Sequence, residues 1–212
     1  MSSSAAQARE EEPGPPPSPP ADLASRKLSL VVVPAGTELF RIHSAAHDPL
    51  FFGPAKGSPP RSRWDAPTGE FGVCYLAEQS HVAFAETLLR KPGDTLIEEV
   101  DLASRSLAHV RVTRDLRLVG FHGHGLARMG ATASAATGPY AVSRAWSRSI
   151  HEHPASSDGI RYRSRHDDDG FAIALFDRAA DTLEIETTDG LISLGNRNEL
   201  ARWLDRYALG LV

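Results

Sequence analysis

The chain has 212 residues, of which 41% are hydrophobic and 24% are charged, and its formal net charge at pH 7 is -4. This length and composition predict one soluble globular domain with a sizeable core. The acidic balance argues against direct binding to a nucleic acid duplex, because phosphate contacts need a basic surface. A single cysteine, Cys74, excludes an internal disulfide and a cysteine-rich zinc site, and its apolar neighbours predict a buried structural thiol.

The first 26 residues have the composition of a disordered, proline-rich tail. They combine small polar residues, an acidic run at 10–12 and a proline cluster at 13–20, none of which can form a core. A basic segment followed by an apolar one, typical of a signal peptide, is missing here. The longest apolar stretch, at 28–33, is far too short to cross a bilayer. We therefore expect a cytoplasmic protein without a membrane partner, whose folded domain occupies residues 27–212.

Hydrophobic periodicity predicts short strands interspersed with helices along this domain. Strands are predicted at 38–43, 72–77, 95–102, 107–112, 160–164, 171–176 and 182–187. Helices are predicted at 80–90, 140–152 and 198–209. Ser80 is the expected cap of the first helix, and Pro92 and Gly93 are expected to end it. The order favours the α+β class over a regular βαβ series.

A long segment rich in Pro, Gly and Ser, residues 44–69, follows the first predicted strand. Loops of this length in compact domains are usually functional or disordered. The segment contains three large aromatic residues, Phe51, Phe52 and Trp64. These aromatic residues favour a functional loop.

Arginines occur beside this loop and inside it. Arg41 lies in the middle of the first strand, on the face opposite its two apolar neighbours, and Arg61 and Arg63 precede Trp64. Forked guanidinium groups beside an aromatic ring suit a bound diphosphate and a flat base. The alternative is a set of surface arginines in an arginine-rich chain, above all for Arg61.

The helix predicted from residue 80 carries one carboxylate, Glu86. Its apolar residues form one arc, composed of Val82, Phe84, Ala85, Leu88 and Leu89. At about 100° per residue, Glu86 lies roughly 40° beyond Val82, at the rim of that arc. A partly desolvated carboxylate needs a partner or a chemical role. Helix geometry alone favours a salt bridge to Arg90, four residues further on.

Several patterns that would indicate other chemistry are incomplete. Lys56 and Ser58 lack the spacing of a phosphate-binding P-loop. The histidine pairs at 122/124 and 151/153 have no third ligand at a fixed spacing, so we expect no metal site. The acidic run at 167–169 lacks the spacing of an EF-hand and predicts a hairpin turn. The Gly-x-Ser-x-Gly motif of serine hydrolases is missing from the sequence.

Three stretches, in order, resemble the RES domain, a family named for its Arg, Glu and Ser. The stretch LFRIH places the family arginine at Arg41. The stretch SRWDAPTGEFGVCYLAEQSHVAFAETL supplies Arg63, Trp64, Tyr75 and Glu86. The stretch DGIRYRSRHDDDGFAIALFD supplies Ser164. The resemblance covers about residues 38–190.

The chain departs from the family pattern in two places. Asp65 stands where the family usually has Asn, which adds a second carboxylate near the expected site. The segment between Glu86 and Ser164 is also long for the family.

The resemblance implies a fold like that of ADP-ribosyltransferases, with a split β-sheet core and surrounding helices, and NAD as the substrate. Family members cleave the nicotinamide–ribose bond by hydrolysis or phosphorolysis. The resemblance therefore implies no cofactor, with inorganic phosphate as a candidate co-substrate. Many members are toxins restrained by an Xre-like helix-turn-helix antitoxin, which implies such a protein partner here, and a homo-oligomer is a further candidate assembly.

The resemblance also implies roles for the matched residues. The NAD-binding set is Arg41, Arg63, Trp64, Tyr75 and Ser164, in which the arginines hold the diphosphate and ribose, Tyr75 stacks on nicotinamide or ribose, and Ser164 orients the sugar. The catalytic set is Arg41, Glu86 and Ser164. Glu86 would stabilise the oxocarbenium-like centre as nicotinamide leaves. One carboxylate is sufficient, because nicotinamide leaves as a neutral group.

Three alternatives to self-contained NAD cleavage stay open from the sequence. The first is transfer of ADP-ribose to a protein or small molecule, since acceptor choice depends on loop shape. The second is a non-catalytic module that keeps a nucleotide pocket. The third is a structural protein that binds partners through its proline-rich tail.

Overall fold

The computed structural model describes residues 14–89, 91 and 93–212. Three features discussed above therefore lie outside the described residues. They are the acidic run at 10–12, Arg90 as the expected partner of Glu86, and Pro92 as a helix-ending residue.

The described residues form ten strands and six α-helices. The strands are β1 (Leu30–Val33), β2 (Glu38–Ser44), β3 (Val73–Ala77), β4 (Leu96–Ile97), β5 (Arg105–Val112), β6 (Leu116–Phe121), β7 (Gly159–Arg163), β8 (Phe171–Phe176), β9 (Leu183–Gly190) and β10 (Gly210–Leu211). The helices are α1 (Ser80–Leu88), α2 (Glu99–Ala103), α3 (His124–Met129), α4 (Ser134–Thr137), α5 (Tyr140–His151) and α6 (Arg197–Arg206).

Eight strands form one sheet in the order β1-β6-β7-β8-β3-β2-β5-β9, and β4 pairs with β10 separately. Neighbours in the large sheet run antiparallel, except β6 and β7, which are parallel. Among the described residues, β2 and β3 pair at a single position, Phe40 with Ala77, whereas β2 and β5 pair along their whole length. The sheet is therefore nearly divided between β2 and β3. The predicted α+β class with a split sheet and surrounding helices is confirmed.

The apolar side chains of both sheet faces are buried in three clusters. One cluster lies under α3, α4 and α5 and contains the rings of Trp64, Phe121 and Trp146. A second, centred on β3, β5, β6 and β8, contains Cys74. The third lies between α1, α2 and α6 and includes Phe84. The helices thus cover the sheet because each has an apolar face to bury.

Most predicted elements agree with the structure, and two predictions are wrong. The segment 95–102 is not one strand, because only Leu96–Ile97 is extended and α2 begins at Glu99. Ser80 does not cap α1, since Gln79 occupies the N-cap and the Ser80 hydroxyl donates to Glu199 of α6 instead. β1, β6, α3 and α4 were not predicted. In β6 the buried residues do not alternate with polar ones, and Arg117 and Gly120 interrupt the apolar run.

Composition predicts that the folded domain begins at residue 27, but the packed part of the chain begins earlier. Leu23 lies in a short 3₁₀ helix and is 3% exposed, within the same cluster as Trp146. The indole N–H of Trp146 donates to the carbonyl of Pro17 at 2.8 Å. The Leu23 side chain and the backbone carbonyls of Pro17 and Arg26 thus attach this segment to the domain. Such single contacts do not show in the composition of the segment as a whole. Within the described residues, no helix has the length and apolar character needed to cross a membrane.

Candidate active site

A cavity of about 390 Å³ opens where the sheet is divided. Residues of β2, β3 and α1 line it, together with residues of the loop between β2 and β3. Four of the residues matched to the family pattern line it, namely Arg41, Arg63, Tyr75 and Glu86. Weak pairing between two strands therefore creates the space in which these side chains meet.

The described residues that line this cavity make it strongly basic. Its cationic side chains are Arg41, Arg61, Arg63, Arg105, Arg163 and Arg165. The carboxylates among the lining residues are Asp48 and Glu86. This local excess of positive charge occurs in a protein whose formal net charge is -4. Such a cavity suits an anionic ligand such as a diphosphate.

Glu86 and Ser164 are in direct contact. The hydroxyl of Ser164 donates to Glu86 Oε1 at 2.7 Å, and the backbone N–H of Arg165 donates to the same oxygen at 3.0 Å. Glu86 is half-buried, as the helical periodicity predicts. Two donors from one turn therefore hold this carboxylate at the cavity wall.

Ser164 is 2% exposed and does not line this cavity. Its Oγ also accepts hydrogen bonds from the backbone N–H groups of His166 and Asp167, at 3.3 and 3.2 Å. A serine hydroxyl has one proton, and here that proton is used on Glu86. The predicted contact between Ser164 and a sugar would require this hydrogen bond to break.

Arg41 projects from β2 into the cavity. Its Nη1 donates to the carbonyl of Phe51 at 3.2 Å and contacts Cys74 Sγ. Its Nε is buried and has no hydrogen-bond partner among the described residues. Buried donors are nearly always paired, so this N–H is an exception among the described residues.

Cys74 is fully buried, as predicted. Burial raises the pKa of its thiol, although the adjacent Arg41 guanidinium partly offsets that effect. The thiol is therefore protonated at neutral pH, which suits a structural role rather than that of a nucleophile.

Arg63 reaches the cavity from the loop and is itself buried. Its Nη1 donates to the carbonyl of Gly138 at 2.7 Å and to Ser143 Oγ at 3.2 Å, and its guanidinium lies 4.6 Å from the centre of the Tyr140 ring. Burial lowers the pKa of this arginine. These contacts fix its position before any ligand binds.

Tyr75 and Asp65 connect the loop to β3. The Tyr75 hydroxyl donates to Asp65 Oδ1 at 2.8 Å and accepts from the Trp64 backbone N–H at 2.9 Å. Asp65 Oδ2 accepts from the backbone N–H groups of Arg61 and Ser62, at 2.8 and 2.7 Å. Burial, followed by the nearby Asp65 carboxylate, raises the pKa of Tyr75 well above its usual value. The carboxylate at position 65 thus orders the loop.

The position of Trp64 corrects its assignment to the NAD-binding set. The side chain is 0% exposed and does not line the cavity. Its ring packs edge-on against Phe121 at 4.9 Å and against Tyr162 at 5.4 Å. A fully buried ring has no surface for a ligand, so Trp64 anchors the arginine-bearing loop in the core.

Several cavity residues were not identified from the sequence, among them His43, Arg105, Tyr140, Arg163 and Arg165. Arg163 and Arg165 flank Ser164, so their alternation in the third matched stretch was a usable signal. No sequence signal pointed to Arg105, because it reaches the cavity through the pairing of β5 with β2.

A second cavity, of about 930 Å³, adjoins the first. The two share four lining residues, Ala136, Arg163, Arg165 and His166. Ser164, Asp167 and Tyr207 line only the second cavity. The turn that contains Ser164 therefore separates the two spaces.

Comparison with known proteins identifies the family. The family model of the RES domain matches residues 38–194. The chain belongs to the RES-domain family. It is similar to "Probable toxin y4kH" of Sinorhizobium fredii (strain NBRC 101917 / NGR234), with 30% identity over 128 residues, which are 60% of this chain and 98% of that protein.

Among solved structures, the RES-domain chain resembles one in the crystal structure of the M. tuberculosis MbcT-MbcA toxin-antitoxin complex. The TM-score is 0.54 at 14% sequence identity, and the match covers 80% of this chain and 92% of the other. At that identity the likeness establishes the fold alone. It agrees with the α+β architecture described above.

Proposed function

We propose that this RES-domain protein cleaves the nicotinamide–ribose bond of NAD, with water or inorganic phosphate as the second reactant. The observation that carries the proposal is the position of Glu86. It lines an arginine-rich cavity, and its Oε1 is held by Ser164 and Arg165. In this proposal NAD is the substrate and no cofactor takes part.

The arginines account for binding. The diphosphate of NAD carries two negative charges, and the Arg41 side chain is one of the cationic groups that line the cavity. Arg63 is fixed by Gly138 and Ser143 on the same cavity. A guanidinium that is already ordered loses little conformational entropy when a phosphate binds.

Glu86 accounts for the chemistry. As neutral nicotinamide leaves, positive charge develops on the ribose, and a carboxylate placed beside it lowers the energy of that transition state. The bond to nicotinamide breaks with its electron pair going to the leaving nitrogen. A phosphate oxygen then forms the new bond to the ribose carbon, or water forms it and releases one proton to the solvent. No group has to protonate the leaving nicotinamide, so the lone carboxylate suffices.

We also propose that the protein acts in the cytoplasm as the toxin of a toxin–antitoxin pair. The names of the toxin y4kH and of the MbcT-MbcA complex support this biological role. An Xre-like antitoxin is the proposed partner, on the basis of the family resemblance. Expression without the antitoxin should lower cellular NAD and arrest growth, and expression of Glu86→Gln should do neither.

The second candidate function is transfer of ADP-ribose to another molecule. It is favoured by the second cavity, which adjoins the first at Arg163, Arg165 and His166 and could admit an acceptor. In that case NAD would be consumed slowly without the acceptor.

The test is incubation of the purified protein with NAD, with and without inorganic phosphate. ADP-ribose alone indicates hydrolysis, and ADP-ribose 1-phosphate indicates phosphorolysis. Glu86→Gln at the same concentration is the matched control for contaminating activity. Unchanged NAD would contradict the proposal, and binding of NAD without turnover would favour the non-catalytic module.

A further inference from the structure

The acidic turn after Ser164 is joined to the end of α6 by one carboxylate. Asp167 Oδ2 accepts hydrogen bonds from Tyr207 Oη at 2.7 Å and from Arg206 Nη2 and Nε at 3.1 and 3.2 Å. The Asp167 side chain is 9% exposed, whereas Asp168 and Asp169 in the same turn are exposed. The three consecutive aspartates therefore differ in their contacts, and Asp167 makes the connection.

Tyr207 extends this connection to α1, the helix that carries Glu86. Its hydroxyl oxygen lies 3.1 Å from the carbonyl of His81, and its ring stacks parallel to that of Phe84 at 6.0 Å. The turn itself packs directly on α1. A Cβ at Gly170 would meet Val82 Cγ2 at 2.1 Å, so only glycine permits this approach.

The same turn orients the Ser164 hydroxyl. The backbone N–H of Asp167 donates to Ser164 Oγ at 3.2 Å, and Ser164 in turn donates to Glu86. One lone pair of the Ser164 oxygen is thus directed by the backbone N–H of Asp167, and the other by that of His166. A displacement of the turn would rotate the donor away from the carboxylate.

We propose that Asp167, held by Arg206 and Tyr207, is the positioning residue that directs Ser164 toward Glu86. The inference rests on the proposed function. It assigns control of that site to the end of α6, which lies beyond the segment 38–194 matched by the family.

The charge state of Asp167 supports this role. Burial opposes ionisation of its carboxyl, but hydrogen bonds from Tyr207 and Arg206 outweigh burial and lower its pKa below the usual value. The connection is therefore ionic at neutral pH. Asn at this position would keep the shape and remove the charge.

The kinetic test compares Asp167→Asn with Asp169→Asn, a matched control on the same turn. We expect Asp167→Asn to lower kcat about tenfold with little change in KM, because the loss would affect Glu86 in the transition state and not binding. Asp169→Asn should match the wild type. An unchanged kcat for Asp167→Asn would overturn the proposal.

A double-mutant cycle separates positioning from general damage. If Asp167 acts through Glu86, Asp167→Asn should reduce kcat by less than about twofold in a Glu86→Gln background. A full tenfold loss in that background would mean that Asp167 acts elsewhere, and the proposal would fall. Tyr207→Phe keeps the ring and removes the hydrogen bond to Asp167. It is used in the same experiments if Asp167→Asn does not fold.

Amide hydrogen exchange provides a readout that does not depend on NAD. Residues 164–167 should exchange faster in Asp167→Asn than in the wild type or in Asp169→Asn. If the wild type leaves NAD intact, the proposed function fails, while exchange still decides whether Asp167 orders the turn. Equal exchange in all three proteins would overturn the positioning role.

Discussion

The hydroxyl of Ser164 donates a 2.7 Å hydrogen bond to Glu86 Oε1, although 78 positions separate the two residues. The contact joins the second and third of the stretches that resemble the family. It gives Ser164 a partner within the protein, and while this hydrogen bond is in place the serine proton is not offered to a sugar. The most direct tests of the site concern these two residues.

Glu86→Gln is nearly isosteric and removes the negative charge. We expect kcat for NAD to fall about 10²–10³-fold, the usual range for one lost electrostatic group. KM should change little, because the stabilised charge exists mainly in the transition state. Steady-state kinetics measures both constants.

The alternative for Glu86 is the salt bridge to Arg90 that helix spacing suggests. It predicts intact turnover and a loss of stability of about 0.3–0.5 kcal/mol in both Glu86→Gln and Arg90→Ala. Thermal unfolding of both variants beside their NAD turnover separates the two explanations. An active Glu86→Gln protein would be evidence against the mechanism.

Ser164→Ala distinguishes positioning from sugar binding. If Ser164 serves to hold Glu86, kcat should fall about tenfold while KM stays near the wild-type value. If the hydroxyl instead contacts the ribose, KM should rise. Ser156→Ala is a control at an exposed serine, and it should leave both constants unchanged.

Arg41→Ala should weaken NAD binding about ten- to a hundredfold, because a charge-assisted contact to phosphate contributes about 1.5–3 kcal/mol. Arg41→Lys should restore only part of the affinity, since an ammonium cannot make a forked contact. Arg111→Ala removes a half-exposed arginine paired with Glu186, away from the cavity, and is the control. Each variant is combined with Glu86→Gln, so that isothermal titration calorimetry measures NAD affinity without turnover. Full rescue by lysine would exclude the forked contact.

The composition of residues 1–25 predicts that they are dispensable and that their removal leaves the melting temperature and NAD turnover nearly unchanged. From the structure we expect instead that this deletion destabilises the protein, whereas removal of residues 1–13 alone should leave the melting temperature nearly unchanged. The longer deletion removes buried Leu23 and the Pro17 carbonyl that pairs with Trp146. Leu23→Ala alone should cost about 2–4 kcal/mol, or on the order of 5–15 °C in Tm. Equal melting of the two deletions would mean that this packing contributes nothing.

Acidification should destabilise the fold through His151. Burial, then the nearby Arg178, lowers the pKa of this histidine from 6.5 to about 4, and its ring stacks on Phe71 at 3.9 Å. The unfolded chain binds the proton more readily, so this stability is fully present above about pH 6.5 and is lost as the pH falls towards 4.

The measurement is Tm between pH 7 and 4 for the wild type, His151→Gln and the exposed control His124→Gln. His151→Gln should have a lower Tm than the wild type at pH 7, and its Tm should fall less than that of the wild type on acidification. His124→Gln should follow the wild type. If the Tm of His151→Gln falls with pH as steeply as that of the wild type, His151 does not contribute to the acid destabilisation.

Periodicity predicted the longer elements that have one apolar face, but it did not predict β1, α3 or α4. It placed Glu86 at the rim of α1 and predicted β2 and β5 close to their observed bounds, while an unbroken apolar run identified the buried strand β8. Neither signal identified β6, because its buried residues do not alternate with polar ones and because Arg117 and Gly120 interrupt its apolar run. Periodicity also failed for 95–102, where a two-residue strand and a short helix together imitate an alternating pattern.

The sequence by itself determined the class of fold, the family and the residue types of the site. Periodicity and motifs depend on residues that are close together in the chain, so they can be recognised without the tertiary structure. Only the tertiary structure decided which of those residues meet. It buried Trp64 in the core, brought Arg105 to the cavity across β2, and attached Asp167 to Tyr207. Such contacts depend on strand order and on the packing of distant segments. The hydrogen bond between Ser164 and Glu86 joins residues 78 positions apart, so no local sequence pattern predicts it.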